Sequence, residues 1–218
     1  MKIEVLQNIM GANEAIARRN RELLDRYRVL AIDLMSSPGA GKTSLLEATI
    51  KALEGKVSIG VIEGDLATNL DSERIKKTGA RVIQINTGGG CSLDANMVSL
   101  ALEKFPLEGL EILFIENVGN LICPAGNPLG EHRRVVILSL PEGDDKPAKY
   151  PVMFAGADCV VLNEIDLTPH LEFDKMTVRR TITGLNPKAK IFELSAKTGE
   201  GLGPWCSWLI TQRRKQFK

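Results

Sequence analysis

Residues 29–35, VLAIDLM, run directly into Ser36-Ser37-Pro38-Gly39-Ala40-Gly41-Lys42-Thr43, and the architecture follows from this junction. An apolar run of strand length, a glycine-bearing turn and a helical pattern over residues 43–53 make up the strand–loop–helix unit of a P-loop. Its glycines let backbone N–H groups turn onto phosphate oxygens, and the helix N-terminus adds its positive end. Lys42 is placed to reach the β- and γ-phosphates, and the Thr43 hydroxyl to ligate Mg²⁺. Ser37, Pro38, Gly39, Ala40, Gly41 and Ser44 complete the cradle. One position departs from GxxxxGK[ST]: Ser36 stands where the motif opens with glycine.

Working outward, short apolar runs at 57–62, 82–85, 112–115, 135–140, 159–162 and 191–194 read as further strands. Most are too apolar for one face to meet water, so the sheet is covered on both sides. Helical patterns over 71–77, 93–104, 172–184 and 203–215 lie between or after them. This alternation predicts an α/β fold with a doubly wound, mostly parallel sheet and right-handed crossovers. An amphipathic helix, with Leu6, Ile9, Ile16, Leu23, Leu24 and Tyr27 at helical spacing, precedes it, and its arginines 18, 19, 21, 26 and 28 read as a wet face. The domain division expected is a helical extension over 1–28 and a P-loop domain over 29–218.

Ligands of such sheets sit at the carboxyl ends of the strands, and the remaining motifs fall there. The fourth run ends in Glu116, an acid placed to hold Mg²⁺ directly or through water, and Gly119 follows at the spacing of the DxxG switch. Asp65, after the second run, is open to three readings: a Mg²⁺ partner, a water-positioning carboxylate or a turn cap. Asn163-Glu164-Ile165-Asp166 and Ser195-Ala196-Lys197 resemble the NKxD and SAK elements of GTPases, in that order and at strand ends. A carboxylate at Asp166 can accept from both guanine N1–H and the N2 amino group, a bidentate pair that adenine cannot form. Asn163 would brace the loop and the Ala196 N–H meet O6. Glu164 replaces the lysine whose stem covers the base, which predicts weaker nucleotide binding with guanine preference kept.

The 218 residues bring 28 basic against 27 acidic side chains, a balance that gives no general electrostatic case for a nucleic-acid binder. No run approaches the roughly 18 apolar residues of a membrane span, and no signal-like segment opens the chain. The four cysteines form no CxxC pair and do not read as a disulfide framework. The expectation is a cytoplasmic protein with reduced thiols.

Beyond the generic motifs, SSPGAGKTSLLE, VIEGD, NTGGGC, LFIENVGNLICPA and Glu142-Gly143-Asp144-Asp145-Lys146-Pro147 resemble the hydrogenase nickel-incorporation GTPase family, HypB, over nearly the whole chain. The resemblance implies a GTPase of the dimerising P-loop class, cycling GTP to GDP with Mg²⁺, that delivers nickel to [NiFe]-hydrogenase precursors. It implies a homodimer in the GTP form and a cooperating nickel metallochaperone, HypA-like. It also implies a site for nickel or zinc at Cys91 and Cys123. The family places a histidine directly after the first cysteine, where this chain has Ser92, and some members another where it has Asn96. Two thiolates per chain cannot close a four-coordinate site alone, whereas two chains could offer four sulfurs. Two alternatives stand beside this: a GTP-binding dimerisation module without cargo, and a related nickel GTPase serving another enzyme. Lys146 has two readings, a phosphate contact across a dimer or a surface ion pair with Asp144-Asp145. Cys159 and Cys206 read as core.

Overall fold

The computed structural model describes the backbone of residues 2–65 and 70–218, and side chains from residue 11 onward. The apolar runs form seven strands: β1 (Leu30–Ser36), β2 (Ile59–Asp65), β3 (Arg81–Asn86), β4 (Ile112–Glu116), β5 (Arg133–Ser139), β6 (Cys159–Asn163) and β7 (Lys190–Glu193). They make one sheet in the order β3-β2-β4-β1-β5-β6-β7, and every neighbouring pair is parallel. The helices are α1 (Lys2–Arg26), α2 (Lys42–Ala52), α3 (Leu70–Lys76), α4 (Ala95–Leu102), α5 (Lys146–Lys149), α6 (Pro151–Ala155), α7 (Lys175–Leu185) and α8 (Leu202–Gln216).

Alternate residues along each strand feed two different cores, as the period-two geometry of a strand requires. Leu30, Ile32 and Leu34 of β1 pack with Leu45 and Leu46 of α2, Ile75 of α3 and Trp205 of α8. Ala31 faces the other way, with Leu24 of α1 and Val98 of α4. On that second side Met35, Val136 and Val160 meet Phe154 of α6 and Val178 of α7. The doubly wound reading is thus correct, and all strands are parallel where mostly parallel was expected.

Several boundaries move for identifiable reasons. Helix α4 begins at Ala95, not 93, because Asp94 caps it by accepting from the Met97 N–H at 2.8 Å. Asp174 delays α7 in the same way. Helices α5 and α6 are absent from the periodicity reading: they are four and five residues long, with Pro147 second in the first and Pro151 opening the other. Leu24 of α1 is fully buried and Tyr27, just past the helix end, is exposed, while Leu6 and Ile9 lie outside the described side chains. Arg21 corrects the wet-face reading. It is half-buried, its Nε donates to the Gly130 carbonyl at 2.7 Å, and burial lowers its pKa.

Candidate functional site

The loop between β1 and α2 lies where the sequence places it, and its internal bonds explain the departure at its first position. Ser36, fully buried, accepts from Lys42 Nζ at 3.0 Å and donates to the Ser37 carbonyl at 2.6 Å. The serine therefore holds the lysine over its own loop, something glycine could not do. Burial lowers the Lys42 pKa, and nearby Glu116 opposes that shift. Gly41 sits at φ 87°, the left-handed region that glycine favours, and a Cβ there would stand 2.5 Å from Asn163 Nδ2.

A cleft of about 410 Å³ opens above this loop, lined by Pro38, Lys42, Thr43, Asp65, Glu116 and Gly119 among others. Thr43 Oγ1 donates to Glu116 Oε1 at 2.8 Å, which joins the P-loop to the end of β4. The sequence reading missed Glu63. It stops β2 at residue 62, whereas the strand runs to Asp65 and pairs Glu63 with Glu116 across the sheet. Both carboxylates are buried, and Glu63 Oε2 and Glu116 Oε2 have no hydrogen-bond partner. Burial, reinforced by mutual repulsion, raises Glu63 to about 8, and burial raises Glu116 to about 7 against the pull of Lys42. Orphaned oxygens of this kind, beside a threonine hydroxyl, are hard donors that suit Mg²⁺. Asp65 stands at the rim, with its backbone carbonyl accepting from Thr87 N–H at 2.9 Å. Gly119 lies against the P-loop itself: a Cβ would come within 2.8 Å of Pro38 Cα.

At the other end of the loop a second cleft, of about 1130 Å³, is lined by Ser44, Asn163, Glu164, Ala196 and Lys197. Asn163 is the joint between three segments. Its Nδ2 donates to the Ala40 carbonyl at 3.0 Å and its Oδ1 accepts from Ala196 N–H at 3.1 Å. Ser195 shapes its own turn, accepting at Oγ from Thr198 N–H at 3.1 Å. Asp166 Oδ1 is buried without a partner, a costly state for a carboxylate oxygen unless something donates to it. Glu164 adopts φ 64°, lines both clefts, and has its pKa raised by burial and by Asp166. Lys146 lies over the Tyr150 ring at 5.9 Å, and the ion pair of this segment belongs to Lys149 and Asp145 at 2.5 Å.

Cys91 and Cys123, 32 residues apart, are brought together with Cα atoms 6.2 Å apart and are joined as a disulfide. That spacing lies within the range a disulfide spans, so the expectation of free thiols changes for this pair. Cys159 and Cys206 are free and buried, as the sequence reading has them. Asn120 folds the second cysteine loop, its Oδ1 accepting from Ile122 and Cys123 N–H. Ser92 Oγ accepts from Asn127 Nδ2 at 2.9 Å, so the residue in the family's histidine position ties the two loops together. Asn96 is exposed. His132 is remote from the pair, its Nδ1 accepting from Ala31 N–H and its Nε2 donating to Asp25. Among the described residues no third Cys, His, Asp or Glu completes a metal cluster.

A parallel sheet crested by a phosphate loop, a hydroxyl–carboxylate pair and an asparagine-braced base loop defines a P-loop nucleotide-binding protein of the GTPase kind. Residues 30–193 match the CobW/HypB/UreG nucleotide-binding domain family. The hydrogenase maturation factor HypB of Rhizobium leguminosarum bv. viciae is 51% identical over 207 residues, 95% of this chain and 69% of that protein. Two solved structures align closely. HypB from Archaeoglobus fulgidus has a TM-score of 0.87 at 38% identity, covering 93% of this chain and 99% of that one. HypB from Helicobacter pylori in complex with nickel has 0.89 at 36%, covering 95% and 97%. The chain belongs to the CobW/HypB/UreG family and, within it, to the HypB hydrogenase maturation factors. No helix among the described residues is long and apolar enough to cross a membrane.

Proposed function

We propose that this chain hydrolyses GTP and couples a GTP-dependent homodimer to nickel delivery during [NiFe]-hydrogenase maturation. In this reading Lys42 and the N–H groups of residues 37–44 hold the phosphates, with Asp166, Asn163 and Ala196 on the guanine. Thr43 and Glu116, with Asp65 and the newly found Glu63 beside them, would hold Mg²⁺, which supplies charge neutralisation at the β- and γ-phosphate oxygens. Nickel, or zinc in its stead, is cargo for the reduced Cys91–Cys123 pair. Its partners are a HypA-like nickel metallochaperone and the hydrogenase large-subunit precursor, in a cytoplasmic setting.

The observation that carries the reading is the path of the chain after β4. One short segment starts at Glu116 beside Thr43, touches Pro38 at Gly119 and ends at the sulfur of Cys123. A γ-phosphate that moves Gly119 thereby acts within four residues of a soft-metal ligand. One observation favours a dimerisation module that carries no cargo: Ser92 is spent on Asn127 and offers the pair no third ligand.

The two readings separate on Ni²⁺ and Zn²⁺ affinity of the reduced protein, measured with GDP and with a non-hydrolysable GTP analogue. Delivery requires that Cys91→Ala or Cys123→Ala weaken binding at least tenfold and that the two nucleotides give different affinities. Equal affinities across parent and variants in both states would leave the module reading standing.

A further inference from the structure

Helix α1 holds the two cysteine loops together through two asparagines on its inner face. Asn13 bridges them with one amide: Oδ1 accepts from Ala95 N–H at 2.8 Å, and Nδ2 donates to the Pro128 carbonyl at 2.9 Å. Asn20, 2% exposed, repeats the bridge two turns on. Its Nδ2 donates to the Ala95 carbonyl at 2.8 Å and to the Leu129 carbonyl at 2.9 Å. Ala95 lies four residues beyond Cys91, and Pro128 and Leu129 five and six beyond Cys123. Between these bridges the fit to the helix is tight. Gly130 sits at φ 102°, and a Cβ there would come 2.7 Å from Asn20 Cβ and 2.8 Å from the Ala17 carbonyl. Arg21 adds its bond to the same glycine.

We propose that Asn13 and Asn20 are positioning residues that set the separation of the Cys91 and Cys123 sulfurs, making α1 the brace of the soft-metal pair. The inference rests on the metal reading above. An asparagine amide supplies both a donor and an acceptor, so a single side chain can satisfy the backbone of two loops at once, which no apolar residue on that face could do. Buried carbonyls deprived of their donor are costly, so the loops have reason to keep their present spacing while the bridges stand. The Asn127–Ser92 bond makes a third tie but runs from loop to loop, without the helix as reference.

The test uses the full chain and two readouts. The first is the equilibrium in which glutathione disulfide oxidises the two thiols to the Cys91–Cys123 disulfide and leaves as two glutathione thiols. The second is Zn²⁺ affinity of the reduced protein. Asn13→Ala and Asn20→Ala should each lower the disulfide-forming constant about tenfold, which is a rise of about 30 mV in the potential of the pair. Zn²⁺ affinity should fall by a similar factor, with GTP affinity unchanged. Asn13→Asp keeps the acceptor for Ala95 N–H and loses the donor to Pro128, and it should move both readouts the same way. Leu24→Ala, which loosens α1 through its fully buried side chain without touching a bridge, should leave the potential where it is. An unchanged potential in both asparagine variants, or an equal shift in Leu24→Ala, overturns the brace. If the reduced parent binds Zn²⁺ no better than Cys91→Ala, the metal reading fails, and the potential alone still decides the brace.

Discussion

Asp166 Oδ1 is a buried carboxylate oxygen with no donor, in the turn that follows β6. A guanine N1–H and N2 amino group would supply the missing donors, and this is the physical content of the guanine assignment. Asp166→Asn exchanges that oxygen for an amide able to donate to the second carbonyl of xanthine. GTP affinity should fall on the order of a hundredfold, the loss of a charge-assisted pair, while xanthosine triphosphate binding improves. Competition titration of the two nucleotides checks it, and an undisturbed GTP preference would remove Asp166 from the site. At this scale the sequence was highly legible where spacing alone defines a motif: Lys42, Thr43, Glu116 and Asn163 lie where their spacing put them. Glu63 escaped because a carboxylate two residues before Asp65 looks like part of a polar turn. Only the strand register, which sets it beside Glu116, shows it as a buried wall of the cleft.

At the level of elements, α1 and the segment after β4 show where sequence patterns stop being sufficient. Hydrophobic periodicity found α1 from its leucines, yet the face that meets the loops runs Asn13, Ala17, Asn20, Leu24, at spacings of four, three and four. Two of those four residues are polar, so a count of apolar matches cannot report them as inward-facing. The segment after β4 was read for Gly119 and Cys123, but the need for glycine at 119 comes from a neighbour distant in sequence, Pro38. Gly119→Ala must push the segment off the P-loop, because its Cβ would meet Pro38 backbone at 2.8–2.9 Å. If the Gly119 N–H meets the γ-phosphate, GTP turnover should fall on the order of a hundredfold while GDP affinity stays close to that of the parent. Phosphate release and GDP titration measure the two, and full turnover in the variant would take the switch role away from this segment.

Taken whole, the molecule stores unfavourable ionisation under one crest of its sheet. Glu63 at about 8 and Glu116 at about 7 sit on adjacent strands, and Asp33, fully buried on β1, is also pushed well above the ordinary carboxylate range. Burial is the leading cause in all three. Each of these groups keeps its proton in the folded state at pH values where the unfolded chain has lost it. The folded state therefore binds more protons between about 4.5 and 8, and the contribution to stability is full below the unfolded value and lost as pH rises through the folded one. His132 acts in the opposite sense. Burial lowers its pKa below 6.5, so the unfolded chain takes up the extra proton and stability drops as the solution becomes more acidic. The carboxylate effect is therefore isolated by difference. Glu63→Gln, which removes one charge and keeps the shape, should gain stability relative to the parent on going from pH 5 to pH 8.5, without nucleotide or metal. Denaturant titration at the two pH values measures this. Mg²⁺ with a GTP analogue should narrow the gap, because a cation at the carboxylates favours their charged form. A gap that stays constant with pH, or that closes as pH rises, would mean Glu63 is already ionised in the folded protein.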